Sequence, residues 1–272
     1  MGMRIRSLDI VIMAAGKGTR MKSTRPKVLH RLAGKSLLQH VLDAVAGLGA
    51  AKTIVITGHE ADVVEAETTS ASAGTLHFVR QAPQLGTGHA VQQAVPHLQD
   101  EGTTLILNGD VPLIQASTVA ALASACGGEK LALLTIELPD ATGYGRIVRT
   151  GDAVTQIVEH KDASDAQRAI REVYTGILAA PSGWLKRAVM ALSNDNAQRE
   201  YYLTDIVAQA VADGVPVVTI VAPSETEVLG VNSPVQLADL ERRLQRERAH
   251  ALMEGRGVRL ADPARFDVRG TL

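Results

Sequence analysis

The stretch from Asp9 to Leu42 gathers residues able to hold a polyanion. An apolar run, "DIVIMAAG", leads into a loop with Gly16, Gly18 and five cations, Lys17, Arg20, Lys22, Arg25 and Lys27. No Asp or Glu occurs from Ile10 to Leu42. Glycines let backbone N–H groups approach a phosphate closely, and a nest of such groups binds anions. Arg20 and Lys27 can then place fixed positive charge on phosphate oxygens from two sides. A solvated basic loop is the plainer account of a charge run, but the strand-end position and the missing acids favour a site for a phosphate. The loop is neither of two familiar phosphate loops. A Walker loop fails because Lys17 is followed by Gly18 and Val11 stands where its first glycine belongs, and the dinucleotide fingerprint fails at Met21.

Two further stretches carry chemistry. In "TTLILNGDVPL" an apolar strand delivers Asp110 to its carboxyl end, and Pro112 stops the strand from continuing. A carboxylate there suits Mg²⁺, which takes one or two carboxylates together with substrate phosphates. A turn Asp after Gly is the competing reading. In "QAPQLGTGHA", Gln81 offers an amide that both donates and accepts, as reading a nucleobase edge requires. Gly86, Thr87 and Gly88 make a tight entry to a helix, for which a loop with Thr87 as N-cap is the plainer account. Cys126, the single cysteine, lies in "SACGGEK" with no histidine close in sequence and reads as inert. A lone cysteine fits a reducing compartment, so a cytoplasmic location is expected.

The elements that must position these residues alternate along the first half of the chain. Apolar runs at "DIVIMAAG", "KTIVITG", "LHFVR", "TTLILNGD" and "KLALLTIEL" read as strands. Between them "SLLQHVLDAVAGLG", "ADVVEAETTS", "GHAVQQAVPHL" and "QASTVAALASACGG" read as helices. Unalternating strands separated by helices predict a doubly wound α/β fold with a mostly parallel sheet covered on both faces, and ligands at the carboxyl ends of its strands. From "GYGRIVRTGDAVTQIVEHKDA" to "EVYTGILAAP", short strands and Gly turns predict a β-hairpin region added at the sheet edge. "NAQREYYLTDIVAQAVADG" then reads as an amphipathic helix and "PVVTIVA" as a strand. A long charged helix from "NSPVQLADLERRLQRERAHALMEG" reads as a solvated arm or linker, and "DPARFDVRGTL" ends the chain without a closing element.

A chain of 272 residues can bury one sizeable core. Its net charge of −1 lacks the surplus of a general nucleic-acid binder, so no nucleic-acid partner is expected. No apolar stretch reaches bilayer length, and the apolar start is too short and contains Asp9, against a signal peptide; no membrane partner is expected.

The motifs "MAAGKGTRM", "RPKVLHRLAGKSLLQHV", "QLGTGHA", "GDVPL", "GYGRI", "VEHKDA", "EYYLTDI" and "GVNS" occur in the order found in sugar-1-phosphate nucleotidyltransferases. Over essentially all its length the chain most resembles the uridylyltransferase part of the bacterial bifunctional GlmU enzymes. The resemblance implies a Rossmann-like nucleotidyltransferase domain over residues 5–232, followed by a helical arm or linker over 233–272. It implies Mg²⁺-dependent transfer of UMP from UTP to N-acetylglucosamine 1-phosphate, giving UDP-N-acetylglucosamine, a cell-wall precursor, and pyrophosphate. At the matching positions Met13, Ala14, Ala15 and Gly16 line the nucleotide, as do Asn108 and Gly109. Lys27 and Arg20 meet phosphate charge. Gln81, Gly86 and Thr87 lie on the uracil side. Asp110 and Asn232 hold the metal, and Gly145, Glu159, Tyr174 and Asn232 surround the sugar.

Two positions depart from the family's pattern: Asn108 stands where Tyr is usual before Gly-Asp, and Tyr174 stands where the "NTGI" motif has Asn. The second bears on sugar choice, which keeps another sugar or nucleotide open as an alternative. A non-catalytic nucleotide-sugar sensor is a further one, disfavoured by the presence of Lys27, Asp110 and Asn232. The family's acetyltransferase half, a β-helix of hexapeptide repeats, is not in this sequence, and the end in "RGTL" reads as a chain cut before it. The family's trimer rests on that β-helix, so the present chain is expected as a monomer.

Overall fold

The computed structural model describes residues 7–68 and 75–270; the first residues of the expected domain and the end of the helix expected up to residue 70 lie outside that range. The chain runs β1 (Leu8–Met13), β2 (Arg31–Leu32), β3 (Lys35–Ser36), α1 (Leu37–Val45), β4 (Lys52–Thr57), α2 (Ala61–Glu67), β5 (Thr75–Arg80) and α3 (Thr87–Ala94). It continues with β6 (Thr103–Asn108), α4 (Ala116–Cys126), β7 (Leu131–Glu137), β8 (Arg146–Thr150), β9 (Ala153–Val158), α5 (Asp165–Arg168) and β10 (Glu172–Pro181). It closes with α6 (Ser182–Met190), α7 (Ile206–Ala212), β11 (Val217–Val221), α8 (Glu225–Val228) and α9 (Pro234–Arg256).

The main sheet has the order β11-β7-β10-β6-β1-β4-β5 and is mostly parallel, as expected. Its strands are apolar without alternation because both faces are buried: Ile10 and Ile12 enter the core on one side of β1, Val11 on the other. The order reverses at β1, with β4 on one side and β6 on the other, and Met13 is level with Asn108. That is the switch point at which an open α/β sheet leaves a crevice for ligands.

Three expectations are corrected. The ten residues of β10 do not form an edge hairpin: β10 is antiparallel in mid-sheet, between β6 and β7, and only β8 and β9 make the expected hairpin. The apolar run "EVYTGILAAP" is buried on both sides there, which an edge strand would not be. The segment from Asn196 is helical only from Leu203 onward. Upstream of it the Asn196 side chain accepts from the Gln198 and Glu200 amides at 3.2 Å each and donates to the Glu200 carbonyl, a local turn that competes with helix. The third concerns α9, which Ser233 caps and Gly257 ends in a left-handed turn. It is not wholly solvated: Leu240 is buried against Met21, Leu32, Leu37, Leu113 and Val231. The chain then returns along it, with Val268 N donating to Gln245 Oε1 (2.9 Å) and Gln245 Nε2 to the Val268 carbonyl (2.9 Å). Met21, where the dinucleotide fingerprint needs glycine, is thus the buried anchor of the cationic loop.

Among the described residues no helix is long and apolar enough to cross a membrane. Cys126 is buried, receives the Thr103 hydroxyl, and has its thiol pushed up by burial, as suits a packing residue.

Candidate active site

Three adjoining cavities open at the switch point. The first, of about 420 Å³, lies over the carboxyl end of β1 and is lined by Met13, Ala14, Ala15, Gly16 and Lys17, with Gln81, Gly86, Thr87, Asn108 and Asp110 opposite. The second, of about 380 Å³, holds Arg20, Asn108, Asp110, Tyr144, Asn232 and Arg243. The third, of about 200 Å³, holds Thr87, Asn108, Gly145, Glu159, Tyr174 and Thr204. Asn108 borders all three. The elements responsible are the ends of β1 and β6, tied by Gly109 N donating to the Met13 carbonyl at 2.9 Å.

The cations divide. Lys17 and Lys27 face the first cavity and Arg20 the second. Arg25 is taken elsewhere: it pairs with Glu67 at 2.5 Å and donates to the Leu29 carbonyl, so it fastens the loop to α2 rather than meeting a ligand. Gly18 sits at φ +60, and a Cβ on it would come 2.7 Å from the Lys27 Cβ. Glycine is therefore what lets the loop lie against the Lys27 stem.

Asp110, Lys27 and Asn232 come together from distant parts of the chain. Lys27 Nζ donates to Asp110 Oδ2 at 2.5 Å and to Asn232 Oδ1 at 3.0 Å, with the lysine and aspartate side chains only 13% and 18% exposed. The Val231 amide donates to the Asp110 carbonyl at 2.9 Å, and the Gln236 side chain accepts from the Asn232 amide, so α9 holds Asn232 in place. A carboxylate oxygen and an amide oxygen thus converge on one cationic centre. That donor set fits a hard divalent cation such as Mg²⁺, which adds substrate phosphates to few protein oxygens. Among the described residues no group of three or more His, Cys, Asp and Glu is gathered for a metal.

Gln81 is buried, and its Nε2 donates to the Gly86 carbonyl (2.9 Å) and meets His89 Nδ1 (3.1 Å). With its Nε2 turned to the Gly86 carbonyl, Gln81 offers its oxygen to accept from a ligand. Gly86, not Thr87, is the N-cap of α3; the Thr87 hydroxyl accepts from the Leu203 amide instead. A Cβ on Gly86 would lie 2.6 Å from the Tyr201 carbonyl, because the loop before α7 packs on this turn. Gln84 and Glu200 also line the first cavity and were not singled out from sequence, although both lie inside quoted motifs.

In the third cavity the Thr204 hydroxyl donates to Glu159 Oε1 at 3.0 Å. Burial pushes the Glu159 carboxyl up, and Asp205 and Asp162 add to the shift. The folded state therefore holds the Glu159 proton more tightly than the unfolded state, so this group costs stability as pH rises through its raised pKa. Glu159→Gln is expected to raise Tm at pH 8, with the gain narrowing as pH falls toward 4; a gain independent of pH in thermal melts would contradict this. Tyr174 is buried, and its hydroxyl has no hydrogen-bond partner among the described residues. Burial first, then the Glu159 charge, pushes the Tyr174 phenol far up. Asn108 lies hard against Gly176, where a Cβ would come 2.2 Å from its Nδ2.

Comparison with known proteins agrees with this architecture. Residues 10–260 match the model of the MobA-like NTP transferase domain. The chain belongs to that family. This NTP transferase is 72% identical over 270 residues to the bifunctional protein GlmU of Methylibium petroleiphilum, an alignment covering 97% of the chain and 58% of that protein. It is 62% identical over 278 residues to the bifunctional protein GlmU of Polaromonas naphthalenivorans, covering 99% of the chain and 59% of the relative. The resemblance to GlmU seen in the motifs therefore extends along the NTP transferase chain, which spans just under three-fifths of these relatives' length. Among solved structures, UDP-glucose pyrophosphorylase complexed with UDP-glucose superposes with a TM-score of 0.71 at 16% identity, covering 89% of the chain and 100% of that structure, a likeness of fold.

Proposed function

We propose that the chain transfers UMP from UTP to N-acetylglucosamine 1-phosphate and releases pyrophosphate. The observation that carries this reading is the junction of three cavities at Asn108, the first two of which also share Asp110: a cation-lined one large enough for a nucleotide adjoins two with polar walls. A sugar phosphate is already an anionic nucleophile at neutral pH, so the reaction needs no general base. Its difficulty is bringing one anion to the α-phosphorus of another, and catalysis is then positioning and charge neutralisation in an in-line displacement. The attacking phosphate oxygen bonds to the α-phosphorus as the bond from that phosphorus to the β-bridging oxygen breaks. On this reading Lys27 and Lys17, which line the first cavity, would meet the charge gathering on departing pyrophosphate, and Arg20, in the second cavity, would meet the other phosphate. Mg²⁺ held by Asp110 and Asn232 would supply the remaining neutralisation of the phosphate oxygens. The free Gln81 oxygen suits the N3–H of uracil and opposes the N3 lone pair of cytosine.

The Tyr174 hydroxyl, buried without a partner in the wall of the smallest cavity, is assigned to the sugar. Tyr174→Phe is expected to leave Tm unchanged or higher, since no hydrogen bond is lost, and to raise KM for the sugar phosphate about tenfold, the scale of one hydrogen bond. A fall in Tm with unchanged KM would make the hydroxyl structural. The same phenol supports a second reading in which the preferred sugar is glucose 1-phosphate, lacking the acetamido group. The test is pyrophosphate release with UTP, CTP, ATP, GTP and dTTP, each paired with N-acetylglucosamine 1-phosphate and with glucose 1-phosphate. Selective turnover of UTP with the acetylated sugar is expected; preference for CTP would contradict the role of Gln81, and no turnover with any pair would favour a sensor.

A further inference from the structure

The Lys27 ammonium occupies the place that the proposed chemistry assigns to a metal. Its Nζ lies 2.5 Å from Asp110 Oδ2 and 3.0 Å from Asn232 Oδ1. These are the two oxygens offered to a divalent cation, and one point between them cannot hold an ammonium and a divalent ion together, since like charges at such range repel by several kcal/mol even at an effective dielectric of about 20. The stem of Lys27 is pressed against Gly18, so only the outer part of the side chain is free to move. Lys27 also lines the cation-rich first cavity beside Gly16 and Lys17, so a turn of those outer bonds carries the ammonium from Asp110 toward a bound triphosphate.

We propose that Lys27 is a resident counter-ion that keeps the Asp110–Asn232 pair closed to metal until a nucleoside triphosphate draws it away. The inference rests on the metal assignment made above. Without substrate, Asp110 is neutralised in a mostly buried setting by the lysine, and no metal is required. A triphosphate brings about four negative charges, enough to attract Lys27 and to arrive with its own divalent ion. The two cations then exchange: the metal takes the carboxylate and the lysine takes phosphate. Metal and nucleotide consequently enter as one unit, and free metal does not load the site ahead of substrate. An ammonium that both guards the site and serves the phosphates ties loading to substrate without any moving domain.

The test is Mn²⁺ binding to the nucleotide-free chain, followed by the EPR signal of unbound Mn²⁺, in wild type, Lys27→Ala, Lys27→Gln and the double variant Lys27→Ala with Asp110→Ala. Both single Lys27 variants are expected to bind Mn²⁺ alone at least about tenfold more tightly than wild type, and the double variant to lose that gain. The use of two Lys27 variants, each checked by thermal melting, separates loss of the ammonium from loss of packing. Mn²⁺ affinity in both Lys27 variants equal to or weaker than wild type would overturn the proposal. Mn²⁺ binding by the double variant as tight as by Lys27→Ala alone would overturn it too, by removing the metal from this place. Failure of the functional reading is seen elsewhere, in the absence of turnover by wild type, because the Mn²⁺ titration needs no substrate.

Discussion

Asp110→Ala lowers kcat for pyrophosphate release by at least about 10²-fold, the scale on which removal of one electrostatic stabiliser registers. The expectation follows from two contacts. Asp110 is the carboxylate offered to the metal, and it is the partner of Lys27 at 2.5 Å. Without it Asn232 alone remains to gather a cation, and a neutral amide oxygen is a poor substitute for an anion. The fold should tolerate the loss. The side chain stands at the rim of the first two cavities and is 18% exposed, and the backbone bond from the Val231 amide to the Asp110 carbonyl survives the substitution. Steady-state kinetics and a thermal melt together check this: a large fall in kcat at little-changed Tm is the expected pattern. Near-normal turnover would remove Asp110 from the chemistry, and a collapsed Tm would make its role structural.

Lys27→Ala is expected to lower kcat by a similar factor of at least about 10² and also to raise KM for the nucleotide. On the proposed reading the first effect comes from charge moving onto pyrophosphate, which the ammonium would meet in the transition state, and the second from loss of its attraction for the bound triphosphate. Lys27→Arg should restore little. A guanidinium is planar and larger than an ammonium, and the stem is packed against Gly18, so the fork cannot be placed where the point charge was. A kcat within a few-fold of wild type in Lys27→Ala, measured at saturating nucleotide, would contradict the assignment.

Much of the scaffold was legible because parallel strands covered on both faces are apolar throughout, as "DIVIM" and "TTLILN" are, and the residues just beyond them are at the carboxyl ends. Gly16 and Asp110 follow such strands, and β1 and β6 are neighbours in the sheet. What was not legible was assembled from afar. Asn232 reaches Lys27 across 205 residues and Asp110 across a backbone bond from Val231, and neither periodicity nor spacing encodes such a meeting; only the motif resemblance pointed to it. The loop carrying Glu200 and Tyr201 was read as helix because its apolar residues recur at helical spacing, whereas Asn196 and the pairing of Tyr201 with Leu85 and Gly88 give its backbone other partners. The cationic loop was read as a single phosphate grip, yet Arg25 is spent on Glu67, because a charge run does not show which of its members have acids waiting in the next helix.

The most direct test of nucleotidyl transfer uses UTP carrying a labelled α-phosphate. Incubated with the wild-type chain, Mg²⁺ and N-acetylglucosamine 1-phosphate, the label should pass into the nucleotide sugar in step with release of unlabelled pyrophosphate. Release of inorganic phosphate with the label retained in UDP would mean attack at the terminal phosphorus, and would contradict a site built around the α-phosphate.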